Sequence, residues 1–202
     1  MDRLRLAITE LPPDAGRGWQ VEIHVNGVEV TSAGAGLGMD PYDVLVPTNR
    51  FAAATEPVTI PAARCTCGEY GCGSTDVTIV RDGDVVRWDW QGEVPMDRRL
   101  TFAADAYRHE VDRIAADHGW ETPDRTAGRL VLESVDPARL PEGIELHWVA
   151  ADWADPRRFQ VSLMDRGRQL ILGFDWADRT PAELAAEIRR TLLEVPRRDW
   201  RA

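Results

Sequence analysis

Three cysteines lie close together in residues 64–74, which read RCTCGEYGCGS. Cys65, Cys67 and Cys72 are the only cysteines in the chain, and a glycine follows both Cys67 and Cys72. Thiolates are good zinc ligands, and a neighbouring glycine lets the backbone turn so that its N–H groups point at the sulfur atoms. We therefore interpret Cys65, Cys67 and Cys72 as candidate metal ligands, with zinc as the candidate cofactor.

The cysteine spacing also leaves other interpretations open. C-x-C-x4-C departs from the common C-x2-C pattern, and no second cysteine pair supplies the fourth ligand that a structural zinc needs. That ligand would be a carboxylate or a histidine, and His24 and His109 are the first to test, before His118 and His147. Without a metal, the thiols and glycines would only fill a crowded turn, or one thiol would act in redox or catalytic chemistry with a nearby histidine. A disulfide is disfavoured because the number of cysteines is odd.

Other catalytic patterns are missing from the sequence. There is no G-x-S-x-G, H-E-x-x-H, P-loop or aspartate-rich calcium motif. Gly34, Gly36 and Gly38 are spaced as G-x-G-x-G, and no sustained helix follows to offer its N-terminus to a phosphate. We predict no catalytic residue and no nucleotide site, and the sequence favours a protein that is not an enzyme.

The elements that would position the cysteines are mostly strands. Alternating apolar residues and turn pairs predict hairpins at Asn26-Gly27, at Asp82-Gly83 and at 165–167. Strands are also predicted in 128–135 and 144–150. In the segment VVRWDW, Val86, Trp88 and Trp90 share one face, which is typical of a core.

Two amphipathic helices are predicted, at about 102–118 and 181–195. Thr101 is a candidate cap for the first, and Thr180 with Glu183 forms a capping box for the second. Asp40 and Pro41 predict a single helical turn. The fold class is therefore α+β, with hairpin-rich antiparallel sheets.

The segment ETPDRTAG, residues 121–128, shows no periodicity and contains two helix breakers, which predicts a linker. We therefore expect an acidic α+β lobe with the cysteine loop at 1–125 and a smaller α+β lobe at 126–202. The two lobes could also form one continuous domain.

The chain is acidic, with a net charge of −10, and all 24 basic residues are Arg. Residues 1–125 hold 21 acidic residues against 12 Arg, whereas residues 126–202 hold 13 against 12. This charge opposes general binding to nucleic acid or anionic membranes, which need a positive surface. With no apparent signal peptide or membrane span, we expect a cytoplasmic protein whose partner is another protein, neutral or basic.

Three stretches carry a resemblance to a known family: MDPYDVLVP, ARCTCGEYGCGSTDVTIVRDGDVVRWDW and TFAADAYRHEVDRI. Together they resemble an uncharacterised bacterial family, common in high-GC genomes, with a CxCGxxGCG-like loop followed by a hairpin that ends in W-D-W. The resemblance covers about residues 1–118 and is strongest over 64–90. It implies a shared fold and no assigned activity, and it carries over no catalytic or binding residues.

These features give two functional hypotheses. The first is a protein-binding module of the immunity or adaptor type, with a zinc loop as a structural element. The alternative is a thiol- or metal-dependent enzyme or sensor centred on Cys65, Cys67 and Cys72.

Overall fold

A computed structural model describes residues 1–68 and 71–200 of the chain. Over these residues the fold is α+β with antiparallel sheets, as the sequence predicts. The contacts divide the chain into two compact units, which we call the first unit (Met1–Trp120) and the second unit (Glu121–Ala202). The predicted division at 125/126 falls a few residues later, inside a helix.

The first unit contains eight strands and two helices among its described residues. They are β1 (Leu4–Glu10), β2 (Trp19–Val25), β3 (Val28–Glu29), β4 (Gly36–Gly38), α1 (Pro41–Val44), β5 (Val58–Cys65), β6 (Ser74–Asp82), β7 (Val85–Gly92), β8 (Leu100–Ala103) and α2 (Ala104–Ala115). Strands β1-β2-β3 form one sheet and β4-β5-β6-β7-β8 form another, and every strand pairs antiparallel with its neighbour.

The two sheets of the first unit meet at both edges of the five-stranded sheet. Asp2, just before β1, forms a parallel bridge with Phe102 in β8. At the other edge, the backbone N–H of Val21 in β2 donates to the carbonyl of Met39, just after β4, at 2.9 Å. Apolar side chains of both sheets and both helices therefore share one core.

Trp88 lies at the centre of this core, fully buried. Its indole Nε1–H donates to the Tyr107 hydroxyl at 3.2 Å, and that hydroxyl donates to the Phe51 carbonyl at 2.7 Å. A buried indole needs such a partner, and this chain of hydrogen bonds fixes α2 against β7. The prediction that the W-D-W strand faces a core is confirmed for Val86 and Trp88, and Trp90 packs partly buried against them.

The predicted hairpins and caps agree with the structure in most places. Asn26 and Gly27 both have positive φ, and the Asp40 side chain accepts from the Tyr42 backbone N–H. The turn between β6 and β7 is Gly83–Asp84, one residue later than predicted, because Asp82 pairs with Val85.

The structure differs from the predictions at four places in the first 135 residues. Helix α2 begins after Ala103, and Thr101 lies in β8 instead of capping the helix. No strand is predicted around Gly34, Gly36 and Gly38, but β4 lies there and pairs with the end of β5. The linker at 121–128 and the strand at 128–135 are a single helix, α3 (Pro123–Ser134).

Helix α3 went unpredicted because its apolar stripe is short and contains a glycine. Pro123 occupies the first turn, where proline is tolerated, and Ala127, Gly128 and Val131 form the buried face. A buried glycine lets the helix approach its neighbour closely, but a glycine weakens a helical signal in the sequence.

The second unit is a three-stranded sheet covered by two helices. Its remaining elements are β9 (Ile144–Ala151), β10 (Arg158–Asp165), β11 (Arg168–Asp175) and α4 (Pro181–Glu194). The strand order is β11-β10-β9, and α3 and α4 share its core. The predicted capping box of Thr180 and Glu183 is confirmed, with both reciprocal hydrogen bonds formed.

None of the helices in the described residues is both long enough and apolar enough to span a lipid bilayer.

Candidate metal centre

The three cysteines lie where strands β5 and β6 join. Cys65 is the last residue of β5, and its backbone N–H donates to the Gly73 carbonyl at 2.9 Å, which closes the hairpin. We call residues 66–73 the cysteine loop. Its first turn is closed by the Gly68 N–H, which donates to the Cys65 carbonyl at 2.9 Å. Gly68 has φ +89°, a conformation that glycine adopts readily.

This arrangement brings the three sulfur atoms together. The Sγ atoms of Cys65, Cys67 and Cys72, which we call the cysteine cluster, all lie within 4.8 Å of one another. A tetrahedral zinc with Zn–S bonds of about 2.3 Å needs sulfurs about 3.8 Å apart, so a small contraction would suffice. Three residues can therefore bind a metal ion here. All three are free thiols, and Cys67 and Cys72 are exposed to solvent.

The sulfur of Cys65 is the best thiolate candidate of the three. The backbone N–H of Cys67 donates to it, and this hydrogen bond, followed by those from the Cys67 and Cys72 thiols, lowers the pKa of Cys65. In metal-binding loops, such backbone N–H groups orient and stabilise the cysteine thiolates, and a neighbouring glycine makes the required turn possible.

The ionisation of Cys72 is disfavoured by the same closeness. The hydrogen bond to Cys65, then that to Cys67, together with the negative charges of these two groups, raises the pKa of Cys72 to about 11. Without a cation, therefore, the cluster does not easily hold three thiolates. A bound divalent cation removes this penalty because each thiolate then faces a positive charge.

Arg64 brings a positive charge to the base of the cysteine loop. It precedes Cys65 in β5, and its Nη1 donates to the Gly68 carbonyl at 3.5 Å. Its Nε is buried and has no hydrogen-bond partner among residues 1–68 and 71–200. Arg64 therefore links β5 to the first turn of the cysteine loop through its contact with the Gly68 carbonyl.

The histidines proposed as the fourth ligand lie elsewhere. Within the described part of the chain, none of them belongs to the group of potential ligands around the cysteines. His24 pairs with Arg5 and Glu29 in the first sheet, and its Nε2 lies 3.3 Å from a Glu22 oxygen. His109 is exposed on α2, and His118 and His147 are exposed as well. The predictions of His109 and His24 as ligands find no support in this geometry.

One carboxylate beside the cluster was not singled out from the sequence. Glu93 follows β7, and its side chain lies over Gly73 in the cysteine loop. Only strand register brings it there, because 21 residues separate Glu93 from Cys72. Gly92 pairs with Thr75. A full prediction of the β6–β7 register would therefore have placed Glu93 near the cysteine loop.

Glu69 and Tyr70 of the cysteine loop, and Arg201 and Ala202 at the end of the sequence, lie outside the described residues. Comparison of the chain with family models, with curated proteins and with solved structures found no match.

Proposed function

We propose that this chain is a zinc-binding protein in which Cys65, Cys67 and Cys72 hold the ion at the tip of the β5–β6 hairpin. The observation that carries the proposal is the grouping of the three sulfur atoms within 4.8 Å, with a backbone N–H directed at one of them. The zinc acts as a structural clip that fixes the cysteine loop against the sheet of the first unit.

The donor set favours zinc over harder cations. Thiolates are soft ligands that suit zinc, monovalent copper and iron–sulfur clusters, whereas magnesium and calcium take oxygen ligands. Structural zinc sites are four-coordinate and tetrahedral. Three sulfurs and one further donor would therefore complete the ligand shell.

Metal analysis of the full chain tests this proposal. Protein purified under reducing conditions, then exposed to zinc and desalted, should retain about one zinc per chain, and Cys72→Ser should lose it. Thr66→Ser, a neighbour in the same loop that keeps its hydroxyl, should retain the ion. A wild-type chain that retains no metal while its three thiols titrate as free groups would sink the proposal. If the chain retains copper and no zinc, the three cysteines bind copper and the assignment of zinc is wrong.

A second candidate function, protein binding, is favoured by Trp153. This side chain is 95% exposed, in the turn between β9 and β10. The turn is held in place by side-chain hydrogen bonds: Asp152 accepts from the Ala154 N–H at 2.9 Å, and Asp155 accepts from the Arg157 N–H at 3.0 Å. Tryptophan is strongly enriched among the residues that dominate protein interfaces.

The partner proposed for this surface is a neutral or basic protein; the acidic excess that would attract a basic one lies mainly in residues 1–125, whereas residues 126–202, which contain Trp153, hold 13 acidic residues against 12 Arg. Affinity capture from a bacterial lysate should yield a stoichiometric protein whose binding weakens with salt and is lost in Trp153→Ala. Ile171→Ala, which trims an exposed apolar residue of β11 in the same unit, serves as the control. Capture of the same proteins by wild type and Trp153→Ala would contradict this role of Trp153.

A further inference from the structure

We propose that Glu93 is the fourth ligand of the metal centre, which makes it a Cys3Glu site. This inference rests on the proposed zinc-binding function and adds a ligand that lies 21 residues beyond the last cysteine. It is carried by strand register, by the position of the Glu93 carboxylate and by its lack of other partners.

Register places the end of β5, the start of β6 and the end of β7 in a row across the sheet, with Glu93 one residue out of line from Cys65 and Gly73. Cys65 at the end of β5 is bonded to Gly73, which lies just before β6. Gly92 at the end of β7 pairs with Thr75 near the start of β6, so that Glu93 follows directly beside Ser74. Adjacent strands lie about 4.8 Å apart, so a glutamate side chain can reach across this row.

The backbone of Glu93 is fixed in this position by two hydrogen bonds. Its N–H donates to the Ser74 carbonyl at 2.8 Å, and its carbonyl accepts from the Thr75 hydroxyl at 2.5 Å. Gly92 has φ +73°, and a Cβ atom there would overlap the Ser74 carbonyl, so only glycine allows the chain to turn here. The attachment point of the Glu93 side chain is therefore well defined.

The Glu93 carboxylate occupies the space that a side chain at position 73 would fill. A Cβ atom built on Gly73 would overlap Glu93 Oε1, and it would lie 3.4 Å from Glu93 Cδ and 3.8 Å from Cys65 Cβ. The carboxylate and the Cys65 side chain thus flank the same glycine. Gly73 leaves the path between the carboxylate and the cluster open.

The carboxylate is also free to move towards the sulfurs. It makes no hydrogen bond or ion pair with any residue in 1–68 or 71–200, and the side chain is exposed. It is not among the atoms that lie within 4.8 Å of one another, so binding requires a change of rotamer. Carboxylate oxygens bind zinc at about 2.0–2.2 Å, and an oxygen completes a tetrahedron with three thiolates.

Cobalt titration of the full chain tests this assignment, with Co²⁺ as a visible-absorbing substitute for zinc. Wild type should bind one Co²⁺ with sulfur-to-cobalt charge-transfer bands, and added imidazole should leave its spectrum unchanged. Glu93→Gln should bind Co²⁺ at least about 10-fold more weakly, the lower limit seen even for outer partners of metal ligands. Its spectrum should shift on addition of imidazole, because the fourth position is then open. Glu56→Gln, an exposed glutamate in the same unit, should match wild type.

The outcomes separate the two proposals. If wild type binds Co²⁺ through thiolates and Glu93→Gln has the same affinity and the same response to imidazole as Glu56→Gln, Glu93 is not a ligand and the three-cysteine site stands. Loss of affinity in Glu69→Gln instead of Glu93→Gln would likewise overturn the assignment. If reduced wild type shows no thiolate-bound Co²⁺ and retains no zinc, the zinc-binding function fails, and the role of Glu93 fails with it.

Discussion

The backbone N–H of Cys67 donates a hydrogen bond to the sulfur of Cys65, two residues earlier in the chain. This bond lies in a turn that is closed by the Gly68 N–H and the Cys65 carbonyl. The turn brings the first two cysteines together, and the closed hairpin brings Cys72 to them. The cysteine loop is therefore shaped by backbone hydrogen bonds before any metal binds.

Zinc should slow amide hydrogen exchange in the cysteine loop. A ligand that binds only the closed loop stabilises it by about 4.1 kcal/mol at a free concentration 1,000 times Kd. Exchange measured by mass spectrometry should therefore slow in peptides covering 64–74 when zinc is added. Peptides covering β10 and β11 in the second unit serve as the internal control and should exchange at the same rate with and without zinc. Equal exchange of the 64–74 peptides in both conditions would contradict the role of zinc as a clip.

The thiols of Cys65 and Cys72 should titrate separately in the metal-free protein. The pKa of Cys65 is lowered by the Cys67 N–H, whereas that of Cys72 is raised to about 11, chiefly by Cys65. Ultraviolet absorbance of the thiolates should therefore rise in well-separated steps, the last near pH 11. In Cys65→Ser the last step should move to lower pH because the largest cause of the shift is gone. Equal pKa values for Cys65 and Cys72 in wild type would be inconsistent with the cluster.

Because zinc displaces protons from these thiols, its affinity should also rise with pH. The rise should continue until the last thiol is ionised, and zinc should be released in acid. A competition titration against a chelator of known proton affinity measures this dependence. An affinity that does not change between neutral and mildly alkaline pH would argue against thiolate ligands.

Gly73→Ala should weaken metal binding more than it affects folding. The new methyl group would displace the flexible end of Glu93 rather than any backbone atom, and Gly73 does not have a positive φ. We expect a change in unfolding free energy within about 1 kcal/mol. Gly71→Ala is the matched control, because a Cβ atom there meets nothing within 4 Å. Chelator competition should show weaker zinc binding for Gly73→Ala alone, and equal affinities would exclude the carboxylate at this position.

Glu110→Gln should destabilise the first unit. The Glu110 carboxylate is buried, accepts from the Leu6 N–H at 2.6 Å and pairs with Arg113 at 2.7 Å. The neutral amide leaves Arg113 without its charged partner, at a cost of about 1–3 kcal/mol. Asp105→Asn, which removes an exposed ion pair with Arg108 on the same helix, should cost about 0.5 kcal/mol or less. Urea unfolding of the two variants should show this difference, and equal effects would contradict the assigned importance of Glu110.

The Glu110 carboxylate should make the stability of the first unit depend on pH, and the direction of this dependence follows from its pKa. Burial alone would raise the pKa of Glu110, but the hydrogen bonds from Arg113 and the Leu6 N–H outweigh it and lower the pKa below the ordinary value of 4.5. Its contribution to stability is therefore complete above about pH 4.5 and is lost as the pH falls through the lowered pKa. Glu110→Gln should lose less stability than wild type over this acid range. A larger acid loss in the variant would reverse the sign and refute the pKa shift.

Much of the fold was predictable where the pattern is local. Asn26-Gly27 predicts its hairpin, and Thr180 with Glu183 predicts the start of α4. Both predictions succeed because turns and helix caps depend on residues that are close in the sequence. Helix α3 was missed because its buried face includes Gly128, which serves packing at the expense of helix propensity. Strand β4 was missed because Gly36 and Gly38 acquire their strand conformation from pairing with β5.

In the candidate site, too, the features that depend on neighbouring residues were predictable and those that depend on strand pairing were not. The glycines after Cys67 and Cys72 indicated a thiolate loop, since their effect on the turn is local. Glu93 carries no local signal, because it is the β6–β7 pairing and the turn at Gly92, where φ is positive, that place its side chain beside Gly73. The histidines were candidate ligands because imidazole binds zinc. Their positions in the strands and helices leave them outside the group of potential metal ligands.

The central claim is that zinc is held by three sulfurs and one carboxylate oxygen. X-ray absorption at the zinc edge of the loaded full chain measures this ligand shell directly. The proposed Cys3Glu site predicts three sulfur neighbours at about 2.3 Å and one oxygen at about 2.0–2.2 Å, with that oxygen lost or replaced in Glu93→Gln. A shell of oxygen and nitrogen atoms with no sulfur would contradict the claim.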